Sequence, residues 1–263
     1  MQIYTHTLPG GAQLIGYLRD MTVEMPAFNT RPAILILPGG GYAWCSRREA
    51  DPVAMQFLQA GYNVFTLYYT CRSDETVPAL RWQPLIDAAG AILHIRRNAE
   101  QFGTDPAKIA ICGFSAGGHL ALSGAVLDIP GETAQQRPNA VILGYPVITA
   151  GEFAHRGSFV QLAGSEDAAA QQAFTLEDKV TSDTPPVFVW HTMEDKTVPV
   201  ENTLLLLAAL RRAGVPCEAH LFEKGAHGTS ISTAEVDAAD PHRAHWVALC
   251  LEWLGETFGF KLS

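Results

Sequence analysis

Residues 113–117 read Gly-Phe-Ser-Ala-Gly, one hydroxyl between two glycines, where the apolar run "KIAIC" (108–112) gives way to a helix-like stretch. A strand that bends sharply into a helix puts the residue at the bend in strained backbone geometry, and glycines two before and two after remove side chains that would collide. Ser115 would then project near the positive end of the helix it opens. A serine hydroxyl is a weak nucleophile until a base takes its proton, and the base needs an acid to fix its tautomer and stabilise its charge. In the order serine, acid, histidine the chain offers Asp195, in the loop after "PVFVWHT" (186–192), and His227, between Ala226 and Gly228 after "CEAHLF" (217–222). Glu194 is the rival acid; Asp195 is preferred because the turn "DKTVP" leads from it into a helix.

This chemistry is acyl transfer, which also needs donors for a developing oxyanion. The loop "LPGGGYAW" (37–44) has three successive glycines whose backbone can approach a substrate closely. The amides of Gly40 or Gly41, with that of Ala116, are therefore the expected oxyanion donors. Among the other histidines, His119 lies one helical turn beyond Ser115 and is expected to be packed or hydrogen-bonded there. His191 precedes the acid and is expected to support its loop. His242 and His245 are spaced for one helix face, but no H-E-x-x-H pattern or third ligand accompanies them, so no metal site is expected.

The elements needed to position these groups are legible in the alternation of apolar runs with helix-length segments. Strand-like runs fall at 33–38, 63–69, 108–113, 140–146, 186–192 and 217–222, with helices near 49–60, 83–101, from 115, 201–213 and 241–257. Runs without polar alternation are buried on both faces, and helices between them imply parallel strands. Two alternating stretches, 3–8 and 13–19, flank Pro9-Gly10-Gly11 and read as an antiparallel hairpin. The expected fold is α/β: an open, mostly parallel sheet with helices on both faces and an N-terminal hairpin. Ligands of such sheets sit beyond the carboxyl ends of the strands, where all the candidate residues fall. Residues 1–263 read as one domain, with a small lid-like insertion at about 147–184.

A net charge of −9 gives no basic footprint for nucleic acid or anionic lipid. The start lacks a secretory pattern and no apolar run is long enough to span a membrane, so a cytoplasmic protein is expected. Five scattered cysteines without a CxxC pair indicate neither a disulfide framework nor zinc.

With these motifs in hand, the chain resembles the α/β-hydrolase superfamily, and within it a bacterial group of small carboxylesterases and acetyl-xylan esterases. The stretches that carry the resemblance are "LPGGGY", "DPAKIAICGFSAGGHLA", "DTPPVFVWHTMEDKTVPVEN" and "FEKGAHG". It implies Ser115 as nucleophile, Asp195 as acid, His227 as base and the Gly40–Gly41 region as oxyanion loop. Pro38 stands where many lipase-like members carry His before the glycines, which departs from the hormone-sensitive-lipase branch. The implied reaction is hydrolysis of short-chain acyl esters, acetyl foremost, of acetylated carbohydrates for example, through an acyl-enzyme. No cofactor is required, and the implied partner is a small ester substrate. An amidase, aryl-formamidase or peptidase would share every motif, and a silent ligand-binding member is the alternative of a different class. Tyr42 and Trp44, just past the glycines, could stack on a sugar ring or cap the core beneath a lid; both readings stand.

Overall fold

The computed structural model describes residues 1–74, 76, 78–128 and 133–262. Among the described residues, eight strands form one sheet: β1 (Gln2–Thr7), β2 (Gln13–Leu18), β3 (Arg31–Leu37), β4 (Asn63–Tyr68), β5 (Thr104–Phe114), β6 (Ala140–Gly144), β7 (Val187–Thr192) and β8 (Cys217–Phe222). Their order is β1-β2-β4-β3-β5-β6-β7-β8. β1 and β2 pair antiparallel, as do β2 and β4; every pairing from β4 onward is parallel. The hairpin turns where Gly11 takes φ +91°, a conformation open to glycine.

The helices are α1 (Asp51–Gln59), α2 (Gln83–Arg97), α3 (Ala99–Phe102), α4 (Ala116–Val126), α5 (Arg156–Ala163), α6 (Ala168–Gln172), α7 (Glu201–Ala213), α8 (Pro241–Ala244) and α9 (Trp246–Phe258). Two segments expected as single helices are each split, one at Asn98 and one at His245. The first helix begins at Asp51 after a tight turn over Arg47–Glu49.

Alternation along the central strands divides the core in two. Leu35, Leu37, Ile111, Leu143 and Val189 face a layer packed with α2, α4, α5 and α7. Ile34, Ile36, Cys112, Ile142 and Trp190 face the opposite layer, built on α1 and α9. Both faces of the central strands are thus covered, which is why they read as unbroken apolar runs. The carboxyl ends of β3, β5, β7 and β8 all open on the same rim, and the candidate residues follow immediately after each. Among the described residues, no helix is long and apolar enough to cross a membrane.

Candidate functional site

Ser115 sits between β5 and α4 at φ +52°, ψ −120°, outside the regions a non-glycine residue readily occupies. The bend is fixed on both sides, because the Ser115 amide donates to the Gly144 carbonyl at 3.0 Å and the Val147 amide donates to the Ser115 carbonyl at 3.1 Å. The flanking glycines are sterically required. A Cβ on Gly113 would lie 2.0 Å from the Gly117 carbonyl oxygen, and one on Gly117 would lie 2.1 Å from that of Leu37.

The loop after β7 brings Asp195 to the same rim. Oδ1 accepts the backbone amides of Thr197 and Val198, both at 2.9 Å, so the carboxylate is aimed by its own turn. Oδ2 accepts from His227 Nδ1 at 2.6 Å and lies 3.3 Å from His191 Nε2. His191 is fully buried: Nε2 donates to the Val198 carbonyl at 3.0 Å and Nδ1 accepts from Thr203 at 2.8 Å. Burial would raise the Asp195 carboxyl, but the bonds from His191 and His227 outweigh it and hold the group below the ordinary carboxylate range. Glu194 is turned away, accepting the Gly225 amide at 3.3 Å. With Nδ1 of His227 donating to Asp195, Nε2 is left as an acceptor, and it lies 2.8 Å from the Ser115 hydroxyl. Three side chains from three strand ends therefore form one hydrogen-bonded chain.

The glycine loop lies against this chain. Gly40 and Gly41 have φ of +126° and +64°. The Gly39 amide is occupied, donating to Glu49 Oε2 at 2.7 Å. Those of Gly40, Gly41 and Ala116 have no acceptor among the described residues, so they remain available to an oxyanion. A cavity of about 310 Å³ opens over Ser115 and His227, lined also by Trp44, Arg48, Glu49, His155 and Gln161.

Trp44 is 63% exposed on the wall of this cavity. Tyr42 is not available to a substrate: it is 1% exposed, and its hydroxyl donates to His119 Nδ1 at 2.7 Å. A left-handed backbone at Tyr42, φ +64°, turns its side chain inward, so of the two sugar-stacking candidates only Trp44 faces the cavity. His119 completes the pair by donating from Nε2 to the Phe174 carbonyl at 2.7 Å, and its burial pushes the imidazole down to about 4.

The segment expected as a lid contributes Gln161 of α5 and His155, just before that helix, to the cavity. Burial and then the neighbouring His227 lower the His155 imidazole below its usual value. The base of this segment is pinned by Asn202. Its carbonyl accepts the amides of Ile148 at 2.8 Å and Thr149 at 3.1 Å, while its NH2 donates to Phe153 at 2.9 Å and Pro199 at 3.0 Å. His155 and Gln161 fall in the stretch 155–167, which the sequence offers as a lid or acyl pocket, whereas Glu49 and Tyr145 are residues that the sequence reading passes over. Glu49 had one signal, a carboxylate at the start of a helix that follows a glycine loop. Among the described residues, no group of three or more His, Cys, Asp or Glu is placed to hold a metal ion.

Comparison with known proteins follows the same lines. A model of the prolyl oligopeptidase family matches residues 91–260, and one described as BD-FAE matches residues 20–142. The chain belongs to the prolyl oligopeptidase family of α/β-hydrolases. Over 97% of its length the chain superposes on the acetyl ester-xyloside bifunctional hydrolase of Caldicellulosiruptor lactoaceticus, with 35% identity, a TM-score of 0.82 and 90% of that chain covered. A carboxylesterase of Lactobacillus plantarum superposes over the whole of both chains, with 28% identity and a TM-score of 0.87. In sequence the chain is 30% identical to an acetylxylan esterase of Xylanibacter ruminicola over 222 residues, 81% of this chain and 44% of that protein. It is 40% identical to endo-1,4-beta-xylanase B of Butyrivibrio fibrisolvens over 84% of this chain and 35% of that protein. The chain thus spans less than half the length of these two curated relatives. Esterases and carboxylesterases predominate among the named relatives, which supports a carboxylic ester hydrolase.

Proposed function

We propose that the protein is a serine esterase that hydrolyses short-chain acyl esters, acetyl esters of carbohydrates foremost, through an acyl-enzyme. The observation that carries this reading is the chain from Ser115 Oγ through His227 to Asp195, closed at 2.8 Å and 2.6 Å. As Oγ attacks the ester carbonyl, His227 Nε2 takes its proton, and Asp195 stabilises the imidazolium that forms. The carbonyl electrons move to oxygen, where the amides of Ala116 and of Gly40 or Gly41 receive them. Collapse breaks the bond to the alcohol, which leaves with the proton from His227. A water, deprotonated by the same nitrogen, then attacks the acyl carbon and releases the acid and the free serine.

A short acyl group fits a cavity of about 310 Å³ roofed by α5. A sugar alcohol suits the exposed Trp44 at its mouth, since an aromatic face packs well on a pyranose. Support for an acetylated carbohydrate also comes from relatives named acetylxylan esterase and acetyl ester-xyloside hydrolase. Residues 1–263 act as one domain in this reading, with the 147–184 segment forming the acyl side of the pocket.

The test is a panel of p-nitrophenyl esters, acetylated xylo-oligosaccharides and an aryl formamide, with Ser115→Ala as the blank. Turnover should be highest on acetyl esters and should fall by about 10³-fold or more in the variant. Preference for the formamide would replace the esterase reading by an amidase one. A wild-type protein that a fluorophosphonate leaves unlabelled would exclude a serine nucleophile.

A further inference from the structure

Glu49 lies under the glycine loop, 3% exposed, and no step of the proposed reaction uses it. Taking a carboxylate out of water carries a large desolvation penalty, so its surroundings should show what holds it there. Oε2 accepts the Gly39 amide at 2.7 Å and Oε1 accepts the Tyr145 hydroxyl at 2.6 Å. Tyr145 in turn accepts the amide of Ser230 at 2.9 Å, three residues beyond His227, and its ring lies edge-on to the His227 imidazole with centroids 5.0 Å apart. The Ser230 hydroxyl donates back to the carbonyl of Arg48, beside Glu49, at 2.6 Å. The path is closed, and it joins the glycine loop to the histidine loop without passing through Ser115 or Asp195.

Backbone strain falls along the same path. Tyr145 and Ser230 have φ of +37° and +47°, conformations that ordinary side chains avoid, and Ser115 shares them at +52°. Such strained conformations persist only where surrounding contacts over-determine them. Glu49 supplies such a contact directly to Tyr145 and, through it, to Ser230.

We propose that Glu49 is a positioning residue which, through Tyr145, holds the Gly39–Gly41 amides and the His227–Ser230 loop in one register, so that oxyanion donors and base meet the same carbonyl. This rests on the reading of Ser115 and His227 as nucleophile and base. Glu49→Gln is a poor substitute: with its single carbonyl on the Gly39 amide, its NH2 can meet Tyr145 only as a donor, which leaves the Tyr145 hydroxyl proton without the acceptor that Oε1 supplies. Tyr145→Phe leaves the Gly39 contact and removes only the link.

The experiment measures kcat and KM on p-nitrophenyl acetate for E49Q, Y145F and the double variant. Alongside them runs the inhibition constant of a trifluoromethyl ketone, whose serine adduct carries an oxyanion. Misplacing donors by a fraction of an ångström to an ångström should lower kcat by about 30–300-fold with KM within about threefold, as for loss of one oxyanion donor or its alignment. The ketone should weaken by the same factor as kcat/KM, because both report complementarity to the tetrahedral state. The double variant should be no slower than E49Q, since both changes cut one path. Folded variants with wild-type kcat, an effect confined to KM, or a double variant whose loss is the product of the singles would each overturn the proposal. If E49Q does not fold, Y145F decides by the same criteria. S115A is assayed in parallel: full activity there overturns the nucleophile reading and the positioning role with it, whereas an inactive S115A beside an unimpaired E49Q removes the positioning role alone.

Discussion

Asp195 presents its two oxygens to different partners: Oδ1 to the amides of Thr197 and Val198, Oδ2 to the imidazole of His227. The division fixes what an amide at this position would do. In Asp195→Asn the side-chain carbonyl stays on the two backbone donors, and the NH2 is left facing His227 Nδ1. The imidazole must then carry its proton on Nε2, where it cannot accept one from Ser115. Under the proposed mechanism kcat should fall by about 10⁴-fold with little change in melting temperature. Steady-state kinetics on p-nitrophenyl acetate check this, and a loss of less than tenfold would remove Asp195 from its role.

Glycines around the site differ in what they exclude. Gly117→Ala would drive a methyl to 2.1 Å from the Leu37 carbonyl oxygen and 2.5 Å from that of Pro38, both backbone atoms that cannot swing aside. At Gly41 the nearest atom, on His155, is 3.8 Å away, and only the φ of +64° resists a side chain. Gly41→Ala should therefore destabilise by about 1–2 kcal/mol, the cost of a left-handed residue. Gly117→Ala should lose at least twice as much in urea unfolding, or fail to fold. Equal stabilities for the two variants would contradict the geometry.

Tyr42 and Trp44 should separate cleanly in function. Tyr42→Phe strips the buried His119 Nδ1 of its donor and should lower stability by about 1–3 kcal/mol while leaving KM for acetylated xylo-oligosaccharides unchanged. Trp44→Ala should do the reverse, raising that KM with unfolding unaffected, because the ring is 63% exposed on the cavity wall. A rise in KM for Tyr42→Phe would mean that its ring leaves the core.

His119 gives the fold a pH dependence of definite sign. Its imidazole titrates at 6.5 when free and at about 4 when buried. Between these values the unfolded chain holds the extra proton, so stability is full above 6.5 and declines as the pH falls toward 4. Asp195, held below its ordinary 3.8, adds its own loss only at lower pH. Urea midpoints measured from pH 7 to pH 4.5 should show the decline, and His119→Gln should flatten it. An unchanged slope in the variant would assign the effect elsewhere.

Ser115, Asp195 and His227 were legible in the sequence because each carries a local signal. One has two flanking glycines at a strand-to-helix junction, and the others have polar loops immediately after apolar strands. The sheet was legible for the same reason, since strands covered on both faces cannot alternate. Glu49 and Tyr145 carry no such signal: their pairing spans 96 residues, and each alone reads as an ordinary helix-start carboxylate or core aromatic. Tyr42 was open to two readings because the direction of a side chain after three glycines depends on φ angles that composition does not reveal. The breaks at Asn98 and His245 were missed for a related reason, as neither residue is proline or glycine.

Asn202 has consequences beyond its own helix. Because one buried amide clasps the start of the 147–184 segment and the turn that carries Asp195, the segment that brings His155 and Gln161 to the cavity and the carboxylate bonded to His227 are mechanically one piece. Under the proposed mechanism, transplanting a different segment to change selectivity would therefore perturb turnover as well, unless the graft reproduces the backbone contacts that residue 202 makes.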